Sequence, residues 1–218
     1  MTVLRIDASI QGDRSASSAL ADLVLHEVTG ARPYERVVTR HLGRQPLPAE
    51  AWATAVTAGF LDPTGHDEEQ RAALALARRV ATELGEADAA VLALPLYNWG
   101  VSQHVKTWID LAITGAGPGT ALLDGTPVVL LTTRGGAYGP GTPKEGWDHS
   151  IDYLRRILAD VWGADLTVIE RELTLAGVNP ALDPLLDLAA TFRQQAETAA
   201  VAAGRSIVDR LGRRADAA

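Results

Sequence analysis

The chain has no cysteine. That excludes disulfides, thiolate nucleophiles, iron–sulfur clusters and cysteine-ligated zinc. No apolar run approaches the roughly 18 residues that a membrane-crossing helix needs. The apolar start is broken by Arg5 and Asp7, which does not fit a signal peptide. A cytoplasmic protein with no membrane partner is the expectation. Positive charge is also short: 20 Lys and Arg stand against 27 Asp and Glu, for a net charge of −7. A nucleic-acid partner requires clustered cations, so none is expected. The five histidines, His26, His41, His66, His104 and His149, show no metal-ligand spacing. Neither a G-x-S-x-G nucleophile elbow nor a G-x-x-x-x-G-K-[ST] phosphate loop occurs.

What remains is an alternation of short apolar runs and helical patterns. The length of 218 residues fits one domain of the larger kind. Strands are expected at residues 2–7, 34–40, 89–94, 127–133 and 164–173. Helices are expected at 19–29, 67–84, 102–114, 148–161 and 187–211, with a polar tail at 212–218 after a single domain at 1–211. Asp67, Glu68 and Glu69 suit the positive end of their helix. Residues 42–67 read as a long surface excursion holding one helix. The glycines at 115, 117 and 119 follow a helix rather than a strand and are interrupted by Pro118, so they read as a loose loop rather than a dinucleotide fingerprint. Strand followed by helix five times predicts an α/β fold, a doubly wound five-stranded parallel sheet with helices on both faces.

In such a sheet, ligands bind beyond the carboxyl ends of the strands. Three expected loops lie there. The first, residues 9–18, carries Ser9, Ser15, Ser17 and Ser18 around a Gly-Asp-Arg turn. It suits a phosphate at a helix N-terminus, although one serine would also serve as a cap. The second, Pro95-Leu96-Tyr97-Asn98-Trp99-Gly100, carries two aromatics and an amide. It reads either as a flat hydrogen-bonding wall for a planar heterocycle or as core packing. The third, Thr133-Arg134-Gly135-Gly136-Ala137-Tyr138, offers close backbone approach and an arginine donor. A phosphorylated planar cofactor satisfies all three, and FMN fits best.

These residues resemble the FMN-dependent NAD(P)H azoreductases and quinone reductases of the flavodoxin-like superfamily. Ser9 with Ser15-Ala16-Ser17, then Pro95-Leu96-Tyr97-Asn98-Trp99, then Thr133-Arg134-Gly135-Gly136 carry the likeness, in order. The Gln45-Pro46-Leu47-Pro48 stretch and the helix around Lys106 and Asp110 add to it. The resemblance implies a flavodoxin-like fold, bound FMN, NADH or NADPH as co-substrate, and ping-pong two-electron reduction of a quinone or azo compound by a homodimer. It implies that Ser9, Ser15, Ala16 and Ser17 hold the phosphate, that Pro95, Leu96, Tyr97, Asn98 and Trp99 line the ring, and that Thr133, Arg134, Gly135 and Gly136 contact its pyrimidine end. Asn98, Arg134 and Tyr138 are the candidate catalytic residues. Arg134 is expected to stabilise negative charge on the reduced ring, and Tyr138 either hydrogen-bonds a substrate oxygen or simply packs or faces solvent. The chain departs from the family at residues 115–124, which are shorter and lack an aromatic, and after Gly136. A flavodoxin-type electron carrier, or a specialised-metabolism enzyme acting on one aromatic or quinone intermediate, stays open as an alternative.

Overall fold

The computed structural model describes residues 1–216. Five parallel strands form one sheet in the order β2-β1-β3-β4-β5. They are β1 (Thr2–Asp7), β2 (Arg36–His41), β3 (Ala89–Ala93), β4 (Pro127–Thr133) and β5 (Asp165–Arg171). All of β3 and β4 is buried. This is why both read as unbroken apolar runs: helices cover each face of a central parallel strand. The edge strand β2 is mostly exposed and reads as mixed. It begins two residues later than expected, and Tyr34 lies outside it, almost fully exposed.

Six α-helices surround the sheet: α1 (Ala16–Ala31), α2 (Ala51–Ala58), α3 (Glu68–Gly85), α4 (Gln103–Ala116), α5 (Ile151–Arg155) and α6 (Leu186–Asp216). Helices α1 and α6 cover one face, where Leu20, Val24, Ala200 and Ile207 meet Ala89, Val91 and Ala93. Helices α3, α4 and α5 cover the other, where Val80, Val105, Trp108 and Leu154 meet Leu4, Ile6 and Leu92. The strict alternation along β3 assigns each residue to one core. Asp67 caps α3 in a reciprocal capping box with Gln70. Ser102 caps α4.

One expectation holds and three need correction. The excursion 42–67 holds one α-helix, α2, as expected, together with a short 3₁₀ turn at Pro63–Gly65. Helix α4 runs through Gly115 to Ala116, so the loose loop starts later. The turn that follows is held by Leu123 N–H to the Trp162 carbonyl at 2.8 Å and lies at the amino ends of the strands. The helix expected from 148 begins at Ile151 and changes at Arg156–Val161 into a π-helical turn. That wide turn delivers Trp162 edge-on to Trp108 in the core, with ring centroids 5.7 Å apart. Finally, α6 continues to Asp216, so residues 212–216 are helical; positions 217 and 218 of the expected tail lie outside the described residues.

Gly115 is helical because α4 crosses α3 at backbone contact. A Cβ there would sit 2.0 Å from the Ala77 carbonyl oxygen. Gly30, inside α1, has open space around it. Gly115→Ala is therefore expected to lower unfolding stability by about 1–3 kcal/mol through overpacking. Gly30→Ala should raise it by about 0.5–1 kcal/mol through helix propensity. Urea unfolding followed by circular dichroism checks both signs.

Candidate functional site

The three predicted loops meet at one rim. Ser15 caps α1, its Oγ accepting from the Ser18 N–H at 3.1 Å and contacting the Ser17 Oγ at 3.1 Å. Ser15 and Ser17 are buried, and Ser9 nearly so. The Ser18 and Ala19 N–H groups are taken by Ser15. The Ala16 and Ser17 N–H groups, which have no intrahelical acceptor in a first turn, find none among the described residues. Two free amides on the axis of a 16-residue helix, beside a hydroxyl cluster, make an anion cradle.

Arg5 holds that first turn in place, a role not anticipated from the sequence. Its guanidinium donates to Asp7 at 2.6 Å, to Asp22 of α1 at 2.6 Å and to the Ser18 carbonyl at 3.4 Å. Burial lowers the Arg5 pKa, but hydrogen bonds to Asp7 and Asp22 outweigh it, and the net shift is upward. The visible signal was a charged pair, Arg5 and Asp7, inside an apolar strand. A cavity of about 170 Å³ opens here between Asp7, Ser9, Ser15, His41 and Arg44. A larger groove of about 930 Å³ lies between α1 and α6 and contains none of the predicted site residues. Its rim arginines Arg193 and Arg205 are paired with Glu197 and Glu27.

Tyr97 joins the second loop to the first. Its hydroxyl lies 3.3 Å from the Ser9 Oγ and accepts from the Ile10 N–H at 3.1 Å. Tyr97 and Gly100 exchange two backbone hydrogen bonds across a tight turn. The central residues, Asn98 and Trp99, both have left-handed backbones, with φ of 47° and 64°, as a type I′ turn requires. Asn tolerates this; a bulky Trp there is a genuine outlier. Trp99 is about half exposed, so the core-packing alternative does not describe it. Pro95 and Leu96 are buried below, with the Leu96 N–H on the Thr133 carbonyl at 3.0 Å, which brings in the third loop.

In that third loop Arg134, expected as a fixed positive donor, is engaged by carboxylates of the protein itself. It is buried, and its guanidinium contacts Asp148 at 2.6 Å, Glu170 at 2.5 Å and Glu172 at 3.1 Å. Burial pushes its pKa down, but Glu170 and Asp148 overcome that, and the net shift is upward. Its charge is therefore spent within the protein. The carboxylates fasten the loop: Glu172 accepts the Tyr138 N–H at 3.0 Å, and Asp148 accepts the Ser150 and Ile151 N–H groups. Gly135 and Gly136 present half-buried backbone whose carbonyls accept from Leu175 and Leu173. The Tyr138 ring lies between Arg134 and Lys144, at 5.9 and 5.4 Å, and its hydroxyl has no partner among the described residues.

A family model described as a flavodoxin-like fold matches residues 1–199. The chain belongs to the flavodoxin-like family. Within that family it is 37% identical over 214 residues to the FMN-dependent NADH:quinone oxidoreductase of Streptomyces avermitilis, covering 96% of this chain and 98% of that one. Among solved structures it is similar to the azoreductase AzrA, with a TM-score of 0.73 and 23% identity, covering 96% of this chain and 100% of that one. It is also similar to an FMN-dependent NADH-azoreductase of Bacillus anthracis in complex with FMN, with a TM-score of 0.71 and 18% identity over 92% and 98% of the two chains. These structural likenesses agree with the flavodoxin-like fold already seen in the strand order.

Arg134→Ala is expected to cost about 3 kcal/mol of unfolding stability, because it strands the largely enclosed Asp148 and Glu172 side chains, 9% and 13% exposed, without their cation. The more exposed Glu170 adds little to that figure. Urea unfolding of the variant checks it; a loss below about 1 kcal/mol would show the cluster to be an ordinary surface pairing.

Proposed function

We propose that this chain is an FMN-dependent oxidoreductase that draws on NADH or NADPH to reduce quinones, azo compounds or both. The observation that carries the reading is the joining of an anion cradle to a strained aromatic turn through Tyr97 and Ser9. The printed names of the S. avermitilis relative and of the azoreductase structures support it.

The residues fit the cofactor. The free amides of Ala16 and Ser17, with the hydroxyls of Ser9, Ser15 and Ser17, would hold the phosphate. The helix dipole of α1 favours that charge without a lysine. Pro95, Leu96, Tyr97, Asn98 and Trp99 would hold one side of the ring, and Thr133, Gly135 and Gly136 the other. When bound, FMN supplies hydride transfer between nicotinamide and acceptor. The protein orients the reactants. Asn98 is a donor and acceptor exposed at the turn, Tyr138 carries a free hydroxyl for a substrate oxygen, and Arg134 acts by positioning both loops rather than by touching the ring. A homodimer and a cytoplasmic location belong to the same proposal. Exposed Trp52, Phe60 and Leu61 on and after α2 support an interface with a second copy.

The test is direct. Purified protein should carry FMN, with absorbance bands at roughly 375 and 450 nm that bleach when NADH is added without oxygen. Gly43→Ala sharpens it, since a Cβ at Gly43 would lie 2.1 Å from the Ser9 carbonyl oxygen. The variant should keep its circular dichroism and lose FMN affinity by about tenfold or more, the scale of a forced backbone shift of 1–3 kcal/mol. A wild-type protein that takes up no FMN would sink the proposal.

A further inference from the structure

Trp147 has no part in the reading above, yet the structure spends several interactions on fixing it. Trp147 is half exposed, and so is Trp99. The two indoles meet edge to face, with centroids 5.9 Å apart and planes at 72°. Exposed indoles are costly in water, and here the edge of one meets the face of the other while about half of each stays exposed. The segment that carries Trp147 is pinned on both sides. The Trp147 N–H donates to the Lys144 carbonyl at 3.1 Å, and the His149 N–H to the Trp99 carbonyl at 2.9 Å. Asp148, the next residue, is clamped by buried Arg134 at 2.6 Å. The Glu145 carboxylate accepts the Gly141 N–H at 2.7 Å and closes the turn before it. Trp99, for its part, is held in a left-handed backbone that its side chain disfavours. Neither ring reaches the core, where a different edge-to-face pair, Trp108 and Trp162, does the packing. Strain and ion pairing together keep a steep aromatic corner open to solvent beside the aromatic turn.

We infer that Trp147 is a specificity-determining residue that, with Trp99, forms a two-walled aromatic corner selecting flat acceptors of two or more fused rings over single-ring ones. The inference rests on the oxidoreductase reading for its substrate class. A single ring can lie against only one of two planes set at 72°. A fused bicyclic or tricyclic acceptor is long enough to face one indole and abut the other, and gains contact area with both. Arg134 enters as a positioning residue, acting through Asp148.

The experiment compares wild type with Trp147→Ala and Trp147→Phe, using 1,4-benzoquinone and 9,10-phenanthrenequinone. In Trp147→Ala the ratio of kcat/KM for phenanthrenequinone over benzoquinone should fall about tenfold, the size of one lost aromatic pairing. Trp147→Phe, which keeps an aromatic wall, should retain most of the ratio. Binding is also read without NADH, so that no turnover occurs. Phenanthrenequinone should quench tryptophan fluorescence with a dissociation constant about tenfold weaker in Trp147→Ala, and FMN content should match wild type. An unchanged ratio, or equal losses for both quinones, would overturn the inference. Should Trp147→Ala fail to fold, a Trp147→Phe variant with wild-type selectivity and binding supports the inference, and one with the alanine-like loss overturns it. A wild-type protein without FMN would sink the oxidoreductase reading instead, while the NADH-free binding comparison would still decide whether Trp147 receives a planar ligand.

Discussion

Every backbone amide of β3 and β4 has to find its partner inside the sheet, because helices cover both faces and water is excluded. The strands meet that requirement by parallel pairing, and parallel strands need helical crossovers to return the chain to the same end. The carboxyl ends of β1, β3 and β4 then lie side by side. The loops that leave them cannot avoid one another. Tyr97 reaching Ser9, and Leu96 pairing with Thr133, are consequences of this crowding. Chemistry gathers at the rim because the hydrophobic middle leaves it nowhere else to go.

The rim is built from two different kinds of charge control. On the α1 side Arg5 is shared between two carboxylates, Asp7 and Asp22. What remains available is the partial charge of backbone amides. On the β4 side one arginine is surrounded by three carboxylates, Asp148, Glu170 and Glu172. Its task there is mechanical, since it joins the loop after β4, the end of β5 and the start of α5. Both devices tie an arginine into carboxylates beside helix-terminal amides or aromatic rings.

Much of this architecture was legible in the residues. The unbroken apolar runs at β3 and β4 mark strands covered on both faces, and the Asp67 and Ser102 caps mark helix starts within a residue. The three loops were identifiable because serines, aromatics and glycines cluster at strand ends. The errors share one cause, contact with distant chain. Gly115 reads as loop punctuation, yet it is helical because Ala77 leaves no room for a side chain. Arg134 reads as a ligand donor, yet Glu170 and Glu172, more than thirty residues on, claim it. Trp147 carried no local signal, because its meaning depends on Trp99 in a different loop. Arg5 and Asp7 were visible as an anomaly in an apolar strand, but only the placement of α1 gives the pair its purpose.

Gly43 has a wider meaning than the space it leaves. It follows the edge strand β2, the most solvent-washed part of the sheet, and its backbone lies directly under the Ser9 carbonyl. The Leu42 N–H donates to the Asp7 carbonyl at 2.7 Å in the same corner. Edge and cradle thus share a hinge pin. An anion seated at α1 would rivet the outermost strand to its neighbour, and fraying of that border would in turn loosen the seat. By thermodynamic linkage the two events would stabilise each other to the same extent, so an anion there would guard an exposed margin of the sheet.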